Sequence, residues 1–282
     1  MKLTAQQIHS FQSAILTYYK KHKRNLPWRK MKNSWQILLS EVMLQQTQVE
    51  RVVPYFKKFI KQFPTPRALA RASLKEVLLG WQGLGYNRRA LLLKRAAEIL
   101  VRDFGGKVPR DAEELNALPG IGAYTAGAIL AFAFDQPAVF IETNIRTVFL
   151  HFFFKSRRRV PDAAILELVR QTLPPHTNIL QNVRMSPRKW YSALLDYGAH
   201  LKETVGNLNA QKSANYAKQS SFKGSRRELR AEILRRAVKD GAPLTLTHLR
   251  DIRSSFSVGE ILSDLVSEGF LQKKGNAFIL QR

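Results

Sequence analysis

Two closely spaced glycines are the first feature of this sequence that could bind a ligand. Residues 118–122 have the sequence Leu-Pro-Gly-Ile-Gly and lie between two stretches with helical patterning. Gly120 and Gly122 permit a tight hairpin whose backbone N–H groups point outward at a helix start. Such a hairpin can hold a DNA phosphate without a charged side chain. The alternative is an ordinary turn between two helices.

A glutamate in a predicted helix is the second such feature. Apolar residues at positions 35, 38, 39, 42 and 43 form one stripe of this helix, Ser34 is its predicted N-cap, and Glu41 lies beside the stripe. The chain has no cysteine, which excludes disulfides, thiolate zinc sites and cysteine nucleophiles. Any catalysis must therefore use oxygen and nitrogen groups such as this carboxyl.

The composition is that of a folded, strongly basic protein. The formal net charge is +25, the isoelectric point is near 10.6, and 45% of residues are hydrophobic. So much positive charge repels itself unless a polyanion offsets it, and nucleic acid is the leading candidate. A ribosome-associated or anionic-membrane protein would also be basic.

The location of the protein is predicted from its apolar segments. No apolar run approaches the roughly 18 residues that a membrane span needs, and the N-terminus lacks the features of a signal peptide. We therefore expect no membrane partner and a cytoplasmic location, associated with the nucleoid if the source is a prokaryote. We also expect a monomer.

Helical periodicity dominates the first 200 residues, which predicts an all-α fold. Besides the helix that carries Glu41, the pattern predicts helices over residues 3–19, 49–63, 65–72, 74–79, 88–104 and 112–118.

The periodicity lapses over residues 207–226, a polar and basic stretch that is typical of a linker. Residues 227–282 then form a predicted small α+β domain of the winged-helix kind. Its expected elements are helices over 227–238, 246–252 and 258–269, followed by two strands within 270–280 about a Lys-Gly-Asn turn. Basic residues in this domain, Arg226, Arg227 and Arg230 among them, could contact duplex DNA or form a solvated face.

Several motifs, in one consistent order, resemble the helix-hairpin-helix (HhH-GPD) superfamily of DNA glycosylases. The hairpin is followed about twenty residues later by an acidic residue within 140–146, Phe-Ile-Glu-Thr-Asn-Ile-Arg. Residues 26–29, 40–48 and 81–86 are similar to stretches that mark MutY-type adenine mispair glycosylases. The likeness runs from about residue 8 to about residue 200.

This resemblance implies a domain organisation. Residues 1–206 would form the glycosylase region, with one lobe over about 27–140 and a second lobe made from the N-terminal helix and about 141–206. MutY-type enzymes also carry a Nudix-like domain that inspects the opposite 8-oxoguanine, and nothing after Arg226 resembles it. The winged-helix-like segment takes its position, which weakens the expectation of 8-oxoguanine specificity.

The resemblance places the family's catalytic acid at Glu41, which would protonate the adenine ring. Glu142 would be the carboxylate that stabilises the oxocarbenium-like sugar, and Asn144 would order that site or its water. N-glycosidic cleavage needs such a pair, an acid at the base and a carboxylate at the sugar. The family has an Asp where this chain has Glu142, and the added methylene moves the carboxylate by about an ångström. The alternatives are a surface glutamate for Glu41 and a helix-start acid for Glu142.

Tyr124 stands where relatives similar to endonuclease III carry an attacking lysine. Because a phenol cannot form the imine that permits strand cleavage, the resemblance implies hydrolysis without lyase activity. A packed core aromatic is the alternative for Tyr124.

The resemblance also assigns residues that contact DNA. Gln45, Gln46 and Thr47 would enter the duplex and fill the space left by the extruded nucleotide, and Tyr86 would be the aromatic wedge beside the opposite base. Polar residues at a helix end are the alternative for the first three.

Four residues match the lining of the base pocket. They are Arg24, Trp28, Arg29 and Asp196. Trp28 could equally be a core residue, and the two arginines could contact phosphates.

The family's four cluster-binding cysteines are missing. By family spacing, their positions hold Lys202, Asn209, Lys212 and Lys218, none of which is a plausible iron ligand. We expect no iron-sulfur cluster and no other cofactor, with a monovalent cation at the hairpin left open.

The leading hypothesis is a monofunctional DNA N-glycosylase of base excision repair that removes adenine opposite 8-oxoguanine or guanine from double-stranded DNA. The first alternative is a thymine, uracil or other damaged-base glycosylase on the same fold. The second is a non-catalytic DNA-binding protein, which would need neither carboxylate beside a polyanion.

Overall fold

The computed structural model describes residues 1–174, 179–180, 183–240 and 243–281. The described residues are 62% helix and 4% strand, which confirms the predicted helical fold with a small C-terminal strand pair. Within the described ranges, no helix is both long enough and apolar enough to cross a bilayer.

The chain divides into two compact units, each assembled from separate segments. The first unit contains Met1–Glu41, Pro109–Ala117 and Ile121–Lys218. The second unit contains Val42–Val108, Leu118–Gly120 and Gln219–Arg282. The division differs from the predicted lobes, because the predicted linker is shared between the units and the C-terminal segment belongs with residues 42–108.

The described part of the first unit contains helices and a short pair of strands. Its helices are α1 (Ala5–His22), α2 (Ser34–Leu44, whose last three residues belong to the second unit), α7 (Ala112–Ala117), α8 (Ala123–Phe134), α9 (Thr143–Phe153), α10 (Asp162–Thr172), α11 (Pro187–Thr204) and α12 (Leu208–Lys212). A 3-10 turn covers Pro27–Lys30, and strands β1 (Ile179–Leu180) and β2 (Val183–Arg184) pair antiparallel.

Two helices organise the core of this unit. Helix α8 is apolar on every side, as a helix buried within a core must be, and residues 125–131 are all buried. Helix α11 packs against α1, α8 and α9. From α11, Trp190 makes an edge-to-face contact with Phe11 of α1, and Phe11 in turn contacts Phe149 of α9. Aromatic pairs of this kind each contribute about 1 kcal/mol beyond their burial.

The second unit joins a helical layer to the C-terminal segment. Its helices are α3 (Val49–Gln62), α4 (Pro66–Arg71), α5 (Leu74–Trp81), α6 (Arg88–Asp103), α13 (Arg226–Asp240) and α14 (Val258–Ser267). Helix α5 starts at a capping box in which Ser73 and Glu76 satisfy each other's backbone N–H groups. Its Trp81 is fully buried against Phe59 of α3.

The C-terminal segment has the predicted order of elements. Strands β3 (Leu271–Lys274) and β4 (Ala277–Leu280) pair antiparallel about the expected turn, and Leu244 adds a bridge to Phe278. The helix predicted over 246–252 is shorter than expected, because only a 3-10 turn forms at Thr247–Leu249.

Three local features differ from the sequence-based expectations. Asn33, rather than Ser34, accepts the first backbone hydrogen bonds of α2, from Trp35 and Gln36. The predicted linker contains helix α12, whose Leu208 is buried. The β1–β2 pair was not predicted within the first 200 residues, which were expected to be almost entirely helical, because two-residue strands leave no periodic pattern.

Candidate active site

Helix α2 brings Glu41 into the interior. The helix is buried along most of its length, with Ile37, Leu38 and Leu39 almost fully enclosed. Glu41 is only 7% exposed, so the alternative of a surface glutamate is wrong. A carboxyl in such surroundings is costly to ionise.

Glu142 lies directly before α9 and caps it. Its backbone is extended, and its carboxylate accepts a hydrogen bond of 2.6 Å from the backbone N–H of Ile145. The other carboxylate oxygen accepts from Asn144 Nδ2 at 3.3 Å. Glu142 is therefore an acid at a helix start, as the alternative supposed. This does not exclude the predicted role, because the same contacts fix the carboxylate in place.

Both carboxyl groups are shifted toward the protonated form. Burial, with a smaller contribution from the charge of Glu142, raises the pKa of Glu41 to about 8. Burial also raises the pKa of Glu142 to about 7, against the opposing effect of hydrogen bonds from residues 144 and 145. Two neighbouring buried carboxyls whose pKa values are both raised are typical of a site that transfers protons.

Tyr124 belongs to the same cluster. Burial raises the pKa of its phenol well above the ordinary value, and the charges of Glu41 and Glu142 both add to that rise. The ring also makes an edge contact with Phe140, with centroids 5.8 Å apart. The ring of Tyr124 is therefore packed in the core, as the alternative supposed. Its phenol stays neutral beside the two acids.

Three of the predicted base-pocket residues form one buried ion-pair network. The Asp196 carboxylate, 2% exposed, receives two hydrogen bonds of 2.6 and 2.7 Å from the guanidinium of Arg29. Arg24 donates to it through both its backbone N–H and its guanidinium. The donors of Arg29 also reach the backbone oxygens of Arg24 and Ser192. Arg29 is thus held internally, which disfavours the phosphate-contact alternative for this residue.

Trp28 is buried, with 7% of its surface exposed. It lies in the 3-10 turn, and Arg188 of α11 closes that turn by donating to the backbone oxygens of Trp28, Arg29 and Met31. Arg188 was not predicted, because its partners are carbonyl groups far away in sequence.

Gly198 is a second supporting residue that was not predicted as part of the site. A Cβ at this position would come within 2.3 Å of the backbone oxygen of Asn144. Helix α11 can therefore approach the start of α9, where Glu142 lies, only because residue 198 is glycine. The Asp-Tyr-Gly-Ala run at 196–199 contained the signal, since a glycine inside a helix usually has a packing reason.

In the second unit, Arg89 organises the predicted DNA-contact residues. Its guanidinium donates to the backbone oxygens of Val42, Met43 and Gln45 at the end of α2, and to the hydroxyl of Thr47 at 2.9 Å. A further hydrogen bond reaches Gly85. A buried cation suits the C-terminal end of a helix, where unpaired carbonyl groups carry partial negative charge.

The residues that Arg89 organises differ in exposure. Gln46 is exposed and has a left-handed backbone with φ of 54°, which is uncommon for a residue with a side chain. Gln45 is partly buried and donates to the backbone oxygen of Gly120 at 3.2 Å. Tyr86 is partly buried and also left-handed, with φ of 50°.

The glycine hairpin has the geometry that the sequence predicts. Gly120 has φ of 81°, and Gly122 is the N-cap of α8. Both glycines are exposed, as is Ala123 at the first position of α8.

The positions where the family has cluster ligands hold internal contacts of another kind. Asn209 is buried and donates to the hydroxyl of Thr147 and the backbone oxygen of Thr143. Lys212 donates to backbone oxygens at the end of α9. Amide and ammonium groups used in this way do not fit an iron-sulfur cluster.

Comparison with known proteins gives the site a family. Residues 39–173 match the family described as HhH-GPD superfamily base excision DNA repair protein. The chain carries an HhH-GPD domain. This domain includes Glu41, Glu142, Tyr124 and the hairpin, whereas residues 24–29 and Asp196 lie outside the matched range.

Relatives of the HhH-GPD domain include adenine DNA glycosylases from distant organisms. The chain is 41% identical over 164 residues to the adenine DNA glycosylase of Mycolicibacterium smegmatis, an alignment that covers 58% of this chain and 56% of the relative. It is 40% identical over 151 residues to the adenine DNA glycosylase of Homo sapiens, covering 50% and 28%. The chain thus spans about half the length, or less, of these relatives.

Solved structures share the fold. A thermostable thymine-DNA glycosylase superposes with a TM-score of 0.58 at 25% identity, covering 69% of this chain and 87% of that chain. Endonuclease III in a covalent complex with DNA gives a TM-score of 0.55 at 21% identity, covering 79% and 92%.

Proposed function

We propose that this protein is a monofunctional DNA N-glycosylase that removes adenine from a mispair with 8-oxoguanine or guanine. The observation that carries the proposal is the pair of neighbouring buried carboxyls, Glu41 and Glu142, whose pKa values burial raises to about 8 and about 7. The identity to adenine DNA glycosylases over half the chain supports adenine as the base.

The reaction needs a proton at the base and negative charge at the sugar. Glu41, protonated, donates its proton to a ring nitrogen of adenine, so that the C1′–N bond breaks and its electron pair leaves with the base. The carboxylate of Glu142 stabilises the oxocarbenium-like sugar that remains. Water then adds to C1′ and loses a proton, which gives an abasic site and free adenine.

The surroundings of the two carboxyls support these roles. Burial favours the protonated form of Glu41, whereas the hydrogen bonds from Ile145 and Asn144 favour the ionised form of Glu142. The rate should therefore rise as Glu142 ionises and fall as Glu41 loses its proton, which gives a maximum near neutral pH.

Tyr124 supports hydrolysis without strand cleavage. Its phenol lies beside both acids and stays protonated, so it is neither an amine that could form an imine nor a charged nucleophile. Strand cleavage at the abasic site would then require alkali.

Removal of thymine or uracil opposite guanine is the second candidate. The similarity to a thermostable thymine-DNA glycosylase favours it, because the same carboxylate chemistry at the sugar serves any base that leaves.

A single-turnover assay on labelled duplexes tests the proposal. The panel contains adenine opposite 8-oxoguanine or guanine, and thymine, uracil or hypoxanthine mispairs, each measured with and without alkali. Cleavage at adenine that depends on alkali is the expected result. Cleavage only at thymine or uracil transfers the proposal to the second candidate. Cleavage only at hypoxanthine, or no cleavage on any duplex, overturns both.

We further propose that the enzyme acts on double-stranded DNA as a monomer, at the nucleoid of the cytoplasm if its source is a prokaryote, and without an iron-sulfur cluster. The contacts of Asn209 and Lys212 support the last point. Iron analysis of protein purified without chelators tests it, and a stoichiometric cluster would contradict it.

A further inference from the structure

A large cavity lies wholly within the second unit. Its volume is about 1040 Å³, comparable with the upper end of the range of roughly 300–1,000 Å³ that is typical of ligand sites. One side consists of the loop at 45–48, another of the loop at 82–87, and a third of α13 with Gln219 and Phe222. The C-terminal segment therefore builds part of the same cavity as the predicted DNA-contact residues.

One contact links these walls directly. Arg227 of α13 donates to the hydroxyl of Tyr86 at 2.9 Å, and its guanidinium carbon lies 5.7 Å from the centre of the Tyr86 ring. The guanidinium of Arg89 lies 5.5 Å from the same ring. Tyr86 thus has two cations against it and a left-handed backbone, a conformation that persists only where the surroundings fix it.

The cavity carries positive charge that its own acids do not neutralise. Arg226 pairs with Asp264 at 2.6 Å, and Arg230 pairs with Glu268 at 2.9 Å, which accounts for both acidic residues in the lining. Arg227 instead donates to the hydroxyl of Tyr86 and to the backbone oxygen of Ser220. An anionic ligand would therefore gain favourable electrostatic energy here.

The remaining lining suits a planar base. Phe222 is 53% exposed, which is unusual for a phenylalanine, and its ring is available beside the cavity together with that of Tyr86. Amide side chains of Gln46, Gln82 and Gln219 also line the space. Aromatic rings stack with bases, amides bond to base edges, and guanidinium groups bind phosphate or purine acceptors.

We propose that this cavity binds one unstacked nucleotide of the DNA, and that Arg227 is a specificity-determining residue within it. The C-terminal segment is then part of substrate recognition rather than a separate attachment. The proposal rests on the proposed function only in taking DNA as the ligand. The nucleotide comes either from the strand opposite the excised base or from the target strand beside that base.

A coupling experiment between protein and DNA tests this inference. Equilibrium binding is measured for the full chain and for Arg227→Ala, both in a Glu41→Gln background so that the duplex stays intact. Each protein is tested on a mispaired duplex, on one with a base-free spacer opposite the target, and on one with the spacer beside the target. A lost guanidinium contact to a base should lower affinity for the intact duplex about tenfold.

The spacer duplexes identify the source of the nucleotide. If the opposite nucleotide occupies the cavity, Arg227→Ala loses its effect only on the duplex with the opposite spacer. If the occupant comes from the target strand, the effect disappears only with the other spacer. An Arg227 effect that is the same on all three duplexes overturns the proposal, as does no effect on any.

Two further variants separate recognition from charge and folding. Arg253→Ala removes one charge from an exposed position of the same segment outside the cavity, and it should lack the position-dependent coupling. An equal coupling with Arg253→Ala would overturn the proposal. Arg227→Lys keeps the charge and should still lose most of the base coupling. Because affinity is measured without catalysis, a failure of base release in the unmodified chain would reject the proposed function and leave this test intact.

Discussion

The two units bury ionisable groups in opposite ways. In the first unit, Glu41 is buried beside the second carboxyl, Glu142, and its pKa rises to about 8, so that the protonated, neutral form is favoured. In the second unit, Arg89 is buried as deeply but makes five hydrogen bonds to oxygens, and its pKa falls only to about 10. A buried cation keeps its charge where acceptors surround it, and a buried carboxylate is neutralised by a proton where too few donors reach it.

This difference matches what each unit is proposed to do. A carboxyl must be protonated, and so neutral, before it can donate a proton, and the burial of Glu41 favours that form. A residue that holds loops in place must keep its charge, because each hydrogen bond from a guanidinium to a carbonyl is strengthened by that charge. The following predictions test the comparison, in order of expected effect.

Glu41→Gln should reduce the single-turnover rate of base release by about 10⁴-fold, the upper end of the effect of a general acid. The amide cannot supply the proton, whereas the DNA affinity should stay within about twofold, since removing a buried, mostly neutral group alters no phosphate contact. Glu203→Gln, at an exposed position of α11, is the matched control and should leave the rate unchanged. Retained activity in Glu41→Gln would remove the acid role from this residue.

The same substitution should change how stability depends on pH. Below about pH 4.5 the Glu41 carboxyl is protonated in both the folded and the unfolded chain, so its ionisation does not affect the free energy of unfolding. As the pH rises toward about 8, the unfolded chain ionises first, so the unmodified protein loses stability that Glu41→Gln keeps. The difference in the free energy of unfolding between the variant and the unmodified protein should shift in favour of the variant by on the order of 4 kcal/mol between about pH 5 and about pH 9.

Urea unfolding of both proteins at the two pH values measures this effect. Parallel curves, with a constant difference in the free energy of unfolding, would mean that Glu41 is ionised in the folded protein at neutral pH.

Arg89→Lys should lower the free energy of unfolding by about 2–3 kcal/mol, because an ammonium cannot reach all five oxygens and leaves buried carbonyls unpaired. Arg88→Lys, at the exposed neighbouring position, should cost less than about 0.5 kcal/mol. Urea unfolding again gives the values. If the two variants were equally stable, the hydrogen bonds of Arg89 would not be what holds its charge in place.

Alanine substitutions at the two hairpin glycines should differ by about 1 kcal/mol in their effect on the free energy of unfolding. Gly120→Ala must adopt φ of 81° and would meet Leu92 at 3.1 Å, so it should be destabilised by roughly that amount. Gly122 has an extended backbone, and a Cβ added there would have no atom within 4 Å, so Gly122→Ala should be nearly neutral for stability. Thermal melts compare the two variants. If the N–H groups here hold phosphate, Gly122→Ala should still weaken DNA binding, and unchanged affinity would restore the ordinary-turn alternative.

Local patterns predicted most of the helices because their signals are local. Thr65 and Ser73 cap their helices where the apolar periodicity begins, and the Lys-Gly-Asn turn lies between the two C-terminal strands. The catalytic candidates were found through motif resemblance, and the structure brings Glu41, Glu142 and Tyr124 together. Their roles remain predictions.

Long-range contacts to backbone atoms were not predictable. Arg89, Arg188 and Arg227 look alike in the sequence, and what distinguishes them is which carbonyl or phenol the fold brings to each one. The contact between Arg227 and Tyr86 joins residues 141 positions apart and leaves no trace in local patterning. The Asn33 cap was missed for a different reason, since Ser34 is an equally good capping residue one position later.

The double use of Glu142 has a consequence for genetics. Its carboxylate closes the first turn of α9, in addition to the role proposed for it at the sugar. A variant that loses this carboxylate would therefore accumulate in the cell at a lower level and would also turn over more slowly. A phenotypic screen that records only loss of repair would merge these two defects, and protein abundance must be measured alongside it to separate them.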